Sequence, residues 1–189
     1  MTQYLNNLAK EILNNESTGL SKVRFAKTIY FVYKGLLLKS LIQADAIRFI
    51  RMPLGPVPVG FKELNQDSEI LIKTTTSSLF YNTETYLLKN YKENFDKLNR
   101  DAIASILKTI KNVPTSELVE ISHKDPSWSK NGNGSEYYIS EDDLKLGLPL
   151  NNKNSLSPEI DEQRIQARLV EGMLTDIVEE STLLEYPDN

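Results

Sequence analysis

Apolar residues recur at helical spacing along most of this chain, and the places where that spacing fails divide it into elements. In "TQYLNNLAKEIL", Leu5, Leu8, Ile12 and Leu13 fall three, four and one apart, which predicts a first amphipathic helix; Gly19 and its hydroxyl neighbours end it. In "LSKVRFAKTIYFVYKGLLLKSLI" the apolar positions Val23, Phe25, Ala26, Ile29, Tyr30, Phe31, Val32, Tyr33, Leu36 and Leu37 cover most of a helical circumference. A helix apolar on nearly every side is buried on nearly every side, so residues 21–40 are expected to form the central helix, with Ser21 able to cap it.

The period then changes. "AIRFI" is short, branched and aromatic, which suits a small strand, and Pro53, Pro56 and Pro58 forbid continuous ladder or helix bonding after it. Gly55-Pro56 predicts a fixed turn, with a short helix restarting through Phe61 and Leu64. "EILIKTTTSSLFYNTETY" has two β-rich runs around a Ser/Thr turn and reads as a hairpin, expected to pair with "AIRFI". Helical spacing returns in "KLNRDAIASILKTIKNV", closed by Pro114, and Thr115 or Ser116 starts the helix "ELVEISH". "NGNGS" is turn-forming. "SEDD" has the spacing of a capping box, with Asp143 in place of the usual Glu, for a short helix that Gly147 stops. Residues 149–157 read as a linker, and Ser157-Pro158 starts an acidic amphipathic helix with Ile165, Leu169, Met173 and Ile177 on one face. The predicted fold is mainly α (α+β): a helical domain around a central buried helix with a small β-hairpin or three-stranded sheet, plus a C-terminal amphipathic helix. Its parts are residues 1–148 and an appended 149–189.

Composition narrows the function classes. With 40% apolar and 25% charged residues, 189 residues suffice for one ordinary hydrophobic core. The absence of cysteine removes disulfides, thiolate metal sites, iron–sulfur clusters and a cysteine nucleophile, and suits a reducing cytoplasm. The polar opening and the short apolar run "GLLL" predict a protein neither secreted nor inserted in a membrane. Charge is uneven: residues 1–150 carry 19 basic and 17 acidic side chains, residues 151–189 carry 3 and 9. The near-neutral body lacks the basic footprint of a nucleic-acid binder, and the acidic tail suits a solvated surface or a basic protein partner.

Candidate chemistry centres on "LVEISHKDPSW", which holds the only histidine, His123, and the only tryptophan, Trp128. A catalytic histidine needs a nucleophile and an orienting carboxylate; Ser122 adjoins it, but successive helical residues point about 100° apart. The structural reading makes His123 a helix end whose imidazole bonds the free carbonyls of the last turn and, when protonated, offsets the helix dipole, with Trp128 folded over it. Pro126 would make this corner rigid. Asp142-Asp143 and Glu179-Glu180 are read as solvated carboxylates. The basic and aromatic residues from Lys22 to Lys39 are read as a core helix whose lysines reach water. With no phosphate-loop, dinucleotide or zinc motif in the sequence, no catalytic, cofactor-binding or metal-binding residue is assigned.

Three stretches together resemble the Panacea domain of antitoxins, also called SocA-like and associated with mobile genetic elements. "KVRFAKTIYFVYKGLLL" is similar to the family's opening helix through Lys27, Tyr30 and Phe31. "RFIRMPLGPVPVGFKEL" is similar to its Gly-Pro-Val turn through Gly55, Pro56 and Val57. "ELVEISHKDPSW" is similar to its leucine-bearing helix with a histidine and a nearby tryptophan through Leu118, Ser122, His123 and Trp128. The likeness spans about residues 20–147 and departs from the family at Leu54, where an aromatic residue is common, and at Pro58 and Gly60.

The resemblance implies a mostly helical, non-enzymatic protein that neutralises a co-encoded protein toxin by direct contact, its shared motifs maintaining a scaffold and variable surfaces choosing the partner. Ile165, Leu169 and Met173 are the expected partner contacts, laid in a groove by the tail helix; the other reading packs that helix on its own domain. A DNA-binding regulator of its own operon, a proteolytic adaptor and a hydrolase using His123 are the alternatives, and a homo-oligomer is left open.

Overall fold

The structure is a computed structural model and describes residues 3–76, 82–149, 157 and 159–171. Helix α1 (Gln3–Asn14) buries the Leu5, Leu8, Ile12 face. Strand β1 (Leu20–Ser21) leads directly into α2 (Lys22–Leu38), in which every residue from Phe25 to Leu37 is buried. Ser21 is the N-cap residue of α2, but its side chain makes no capping hydrogen bond. The aromatic residues of α2 organise the core: Tyr30 meets Phe49 edge-on at 5.1 Å between ring centroids, and Phe25 lies 5.2 Å from Tyr86. Burying one such ring contributes about 2–3 kcal/mol.

Two small three-stranded sheets flank this helix. Strand β2 (Phe49–Ile50) lies between β3 (Val57–Pro58) and β6 (Glu136–Tyr137), all antiparallel. Strands β4 (Ile70–Thr76) and β5 (Asn82–Leu88) form the expected hairpin, with Leu71 opposite Leu87 and Ile72 opposite Tyr86. The hairpin pairs with β1, through Leu20 opposite Tyr86, and not with "AIRFI" as the sequence suggested. Both edges of β2 are taken by short partners brought in by the proline-rich turn and the glycine loop, which leaves no edge for the hairpin. A 3-10 helix (Phe61–Gln66) joins the two sheets.

Helix α3 (Lys97–Ile110) is capped by Asp96, whose carboxylate accepts from the Asn99 N–H at 2.8 Å. It packs closely on α2 because Gly35 has no side chain: a Cβ there would sit 2.6 Å from Ile106 Cδ1. Arg24 of α2 ties down the other end of α3 by donating to the carbonyls of Val113 and, at 2.8 Å, Ile110. Helices α4 (Thr115–His123) and α5 (Pro126–Ser129) follow, then α6 (Glu141–Lys145). The predicted capping box is present: the Ser140 hydroxyl accepts from Asp143 N–H, and the Asp143 carboxylate accepts from Ser140 N–H at 2.7 Å. A further helix, α7 (159–171), follows, and the Ser157 carbonyl ahead of it accepts from Asp161 N–H at 3.0 Å. Among the described residues no helix is long and apolar enough to cross a membrane.

Candidate functional site

Residues 27, 30 and 34 of α2 are three and four apart, so they share one helical face. In this chain they are Lys, Tyr and Lys, and all three are buried. Lys34 Nζ lies 2.7 Å from Asp125 Oδ1, with the two side chains 0% and 1% exposed, and the Tyr30 hydroxyl donates to the other carboxylate oxygen at 2.5 Å. Asp125 sits in the link between α4 and α5, and its backbone carbonyl accepts from the N–H groups of Trp128 and Ser129 at 3.0 Å each. Burial pushes the Asp125 carboxyl above its ordinary pKa against the pull of Lys34 and Tyr30. Burial first, and the Asp125 charge second, push the Tyr30 phenol well up. A buried ion pair with its remaining lone pairs satisfied fixes geometry more than it adds net stability. Here it bolts the α4–α5 link to the central helix.

Lys27 meets a different partner. Its Nζ donates to the Pro56 carbonyl at 2.6 Å, and burial drives its pKa well below the usual lysine value. The turn carrying Pro56 closes through Gly55 N–H to the Met52 carbonyl at 2.8 Å. Gly55 has φ +87°, a left-handed conformation that glycine adopts at little cost, and a Cβ on it would lie 2.4 Å from Ser122 Oγ and 3.1 Å from Lys27 Nζ. The turn therefore rests directly on α2 and α4. Ser122 is committed elsewhere, its hydroxyl donating to the Val119 carbonyl at 2.8 Å.

His123 and Trp128 stack, with ring centroids 3.9 Å apart and planes 7° from parallel, and the Arg51 guanidinium lies 4.5 Å from the Trp128 ring centroid on its face. Trp128 Nε1 donates to the Met52 carbonyl at 3.2 Å, and His123 bonds the Pro53 carbonyl. Both rings thus read the backbone of the same turn. This corrects the expectation for His123: its donor serves the Pro53 carbonyl across the fold, not the last turn of its own helix. It is also neutral, because burial, with Lys27, Arg168 and Arg51 adding to it, pushes its pKa down to about 4. Its Nε2 has no hydrogen-bond partner among the described residues.

The remaining expected residues frame this cluster. Phe31 and Leu118 are fully buried, with the Phe31 ring 5.3 Å from that of Tyr30, and Val57 pairs with Ile50 in β3. The three separated stretches singled out in the sequence therefore meet at one place. Sequence reasoning missed Asp125 and Arg51, and two expectations are corrected: Lys27 and Lys34 do not reach water but are 1% and 0% exposed, each bonded to a buried acceptor, and Asp143 is not solvated but buried, its carboxylate accepting from the Ser127 and Ser140 N–H groups. Lys34 carried a signal, since a lysine on an all-apolar helix at the spacing of Lys27 and Tyr30 needs a buried acceptor.

The tail helix is tied to this body. Asp161 Oδ2 and Oδ1 accept from the N–H groups of Thr115 and Ser116, each at 2.8 Å, so the start of α4 is capped by a carboxylate far along the chain and not by its own hydroxyls. Ile165 is 4% exposed, and Arg168 reaches Glu120 at 3.1 Å. Leu169 borders a groove of about 580 Å³ whose walls also include Val23, Ala26, Leu54, Val57 and Phe61. Met173 lies outside the described residues.

Compared with known proteins, residues 26–129 match the family model described as "Antitoxin SocA-like, Panacea domain". That span is more than half of the chain and includes every member of the buried cluster. No curated protein and no solved structure matches the chain.

Proposed function

Since the chain belongs to the SocA-like Panacea antitoxin family, we propose that it is the antitoxin of a toxin–antitoxin pair and neutralises a co-encoded protein toxin in the cytoplasm by direct binding, with no reaction of its own. Family membership is the observation that carries this reading. Its physical counterpart is the inaccessibility of residues that carry the resemblance: Lys27, Tyr30, Phe31 and Leu118 are all at most 1% exposed. Residues that cannot touch a partner serve by fixing the scaffold, and the exposed surfaces around them are left to select the toxin. Residues 1–148 are the scaffold in this reading and residues 149–189 an appendage. The Asp161 cap and the burial of Ile165 support an appendage that packs on its own chain.

The test is genetic and biochemical. The adjoining reading frame is expressed alone and together with this chain; growth arrest in the first case, relief in the second and co-purification of the two products are expected. Arrest that this chain does not relieve would remove the antitoxin assignment.

A further inference from the structure

The groove beside Leu169 lies outside the buried cluster, and its chemistry restricts what can fill it. Its volume of about 580 Å³ falls in the range of about 300–1,000 Å³ usual for binding clefts. Ala26 and Phe61 in its walls are buried, Leu54 and Val57 are half-buried, and Met52 at its edge is 41% exposed, with a flexible thioether that adapts to the shape of whatever it meets. Its charges cancel. Lys22 is paired with Glu84 at 2.8 Å, Lys62 stands beside Glu63, and Lys27 is buried and held neutral. An occupant therefore gains from apolar contact and not from charge.

The backbone of the groove wall narrows the choice further. Strand β3 is the edge of its sheet, and β2 pairs along its inner side. Val59 N–H donates to the Arg48 carbonyl at 2.8 Å, and Val57 lies opposite Ile50, so these alternate residues turn their backbone groups toward β2. The outward positions are then Pro56 and Pro58. Neither has an N–H, and the Pro56 carbonyl already accepts from Lys27 at 2.6 Å. A strand laid along this edge would find no donor, so the wall does not extend its sheet to a partner. A small molecule would need polar groups to orient it, and Lys27 is already bonded to the turn. A helix, which satisfies its own backbone and presents apolar side chains at i, i+3 or i+4, and i+7, meets every one of these conditions.

We propose that this groove receives the uncharged apolar face of a helix of the co-encoded toxin. The proposal rests on the antitoxin reading and adds to it the surface and the kind of segment that surface takes.

The test uses the full chain and the purified product of the adjoining reading frame. Met52→Asp, a change at an exposed position, is expected to weaken binding by about tenfold or more while the denaturation midpoint stays that of the parent, and Met52→Leu to keep the parent affinity. Because the sequence has no cysteine, Met52→Cys carries a photoreactive maleimide at one site, and mapping its cross-link names the occupant. A cross-linked toxin peptide with apolar residues three and four apart is expected. A toxin peptide of alternating apolar and polar residues, a cross-link within the chain itself or to a second copy, or equal affinity of Met52→Asp and the parent would overturn the proposal while leaving the antitoxin reading in place. A product that does not bind the parent chain at all would remove both.

Discussion

At the scale of single residues, the buried cluster depends on groups that are costly alone and cheap together. Gly55 is required by φ and by space, since any Cβ would strike Ser122 Oγ, and Lys27 holds the turn that Gly55 permits. Lys34 is the sharper case. Lys34→Met would leave the Asp125 carboxylate buried with only the Tyr30 hydroxyl. Breaking one side of such a pair costs about 3–5 kcal/mol, whereas replacing both sides by apolar groups of similar volume is often close to neutral. Chemical denaturation is thus expected to show a large loss for Lys34→Met and a substantial recovery in the double variant Lys34→Met/Asp125→Leu. A single variant as stable as the parent would mean that the pair does not bolt α4–α5 to α2.

At the scale of elements, α4 is held at its start by a residue of another helix. Asp161→Ala removes the carboxylate that accepts from two backbone N–H groups, and loss of a cap of this kind costs about 1–2 kcal/mol. Faster hydrogen exchange at Thr115 and Ser116, with little change in α3, is the expected signature; unchanged exchange there would deny the cap. This contact also marks the limit of what the sequence discloses. Elements fixed by local rules were legible: the apolar periods of α1, α2 and α3, the Ser140–Asp143 box and the Gly55 turn all appear where spacing put them. Contacts between distant stretches were not, because spacing carries no partner. The hairpin was therefore assigned to the wrong strand and His123 to the wrong carbonyls, and the Asp161 cap of α4, which does start at Thr115 as expected, was not foreseen. In the candidate site, the resemblance brought out Lys27, Gly55, His123 and Trp128, while Asp125 looked like an ordinary loop carboxylate before Pro126 and only burial beside Lys34 distinguishes it.

At the scale of the whole molecule, these buried groups set how stability varies with pH. His123 titrates near 4 in the fold and near 6.5 when unfolded, so the unfolded chain binds more protons between those values. Its contribution is full above pH 6.5 and is lost as pH falls toward 4; with the ring only partly screened from water, the loss is about 2 kcal/mol. Asp125 acts oppositely, since its raised pKa favours the fold at low pH and that advantage is lost as pH rises through the folded value. On the alkaline side Lys27 continues the climb, because its amine is driven well below the lysine range while the unfolded chain holds that proton up to about pH 10.4. Tyr30 reverses the trend, its raised phenol pKa costing stability once the unfolded chain ionises above about pH 10. The combined expectation is a stability maximum on the alkaline side of neutral. Lys27→Met should flatten the rise between pH 7 and 10 whatever its effect at neutral pH, and denaturation midpoints across that range measure the slope directly. An unchanged slope would mean that Lys27 keeps its charge in the fold, and the Pro56 carbonyl would then have to be joined by an acceptor that holds an ammonium ion inside the core.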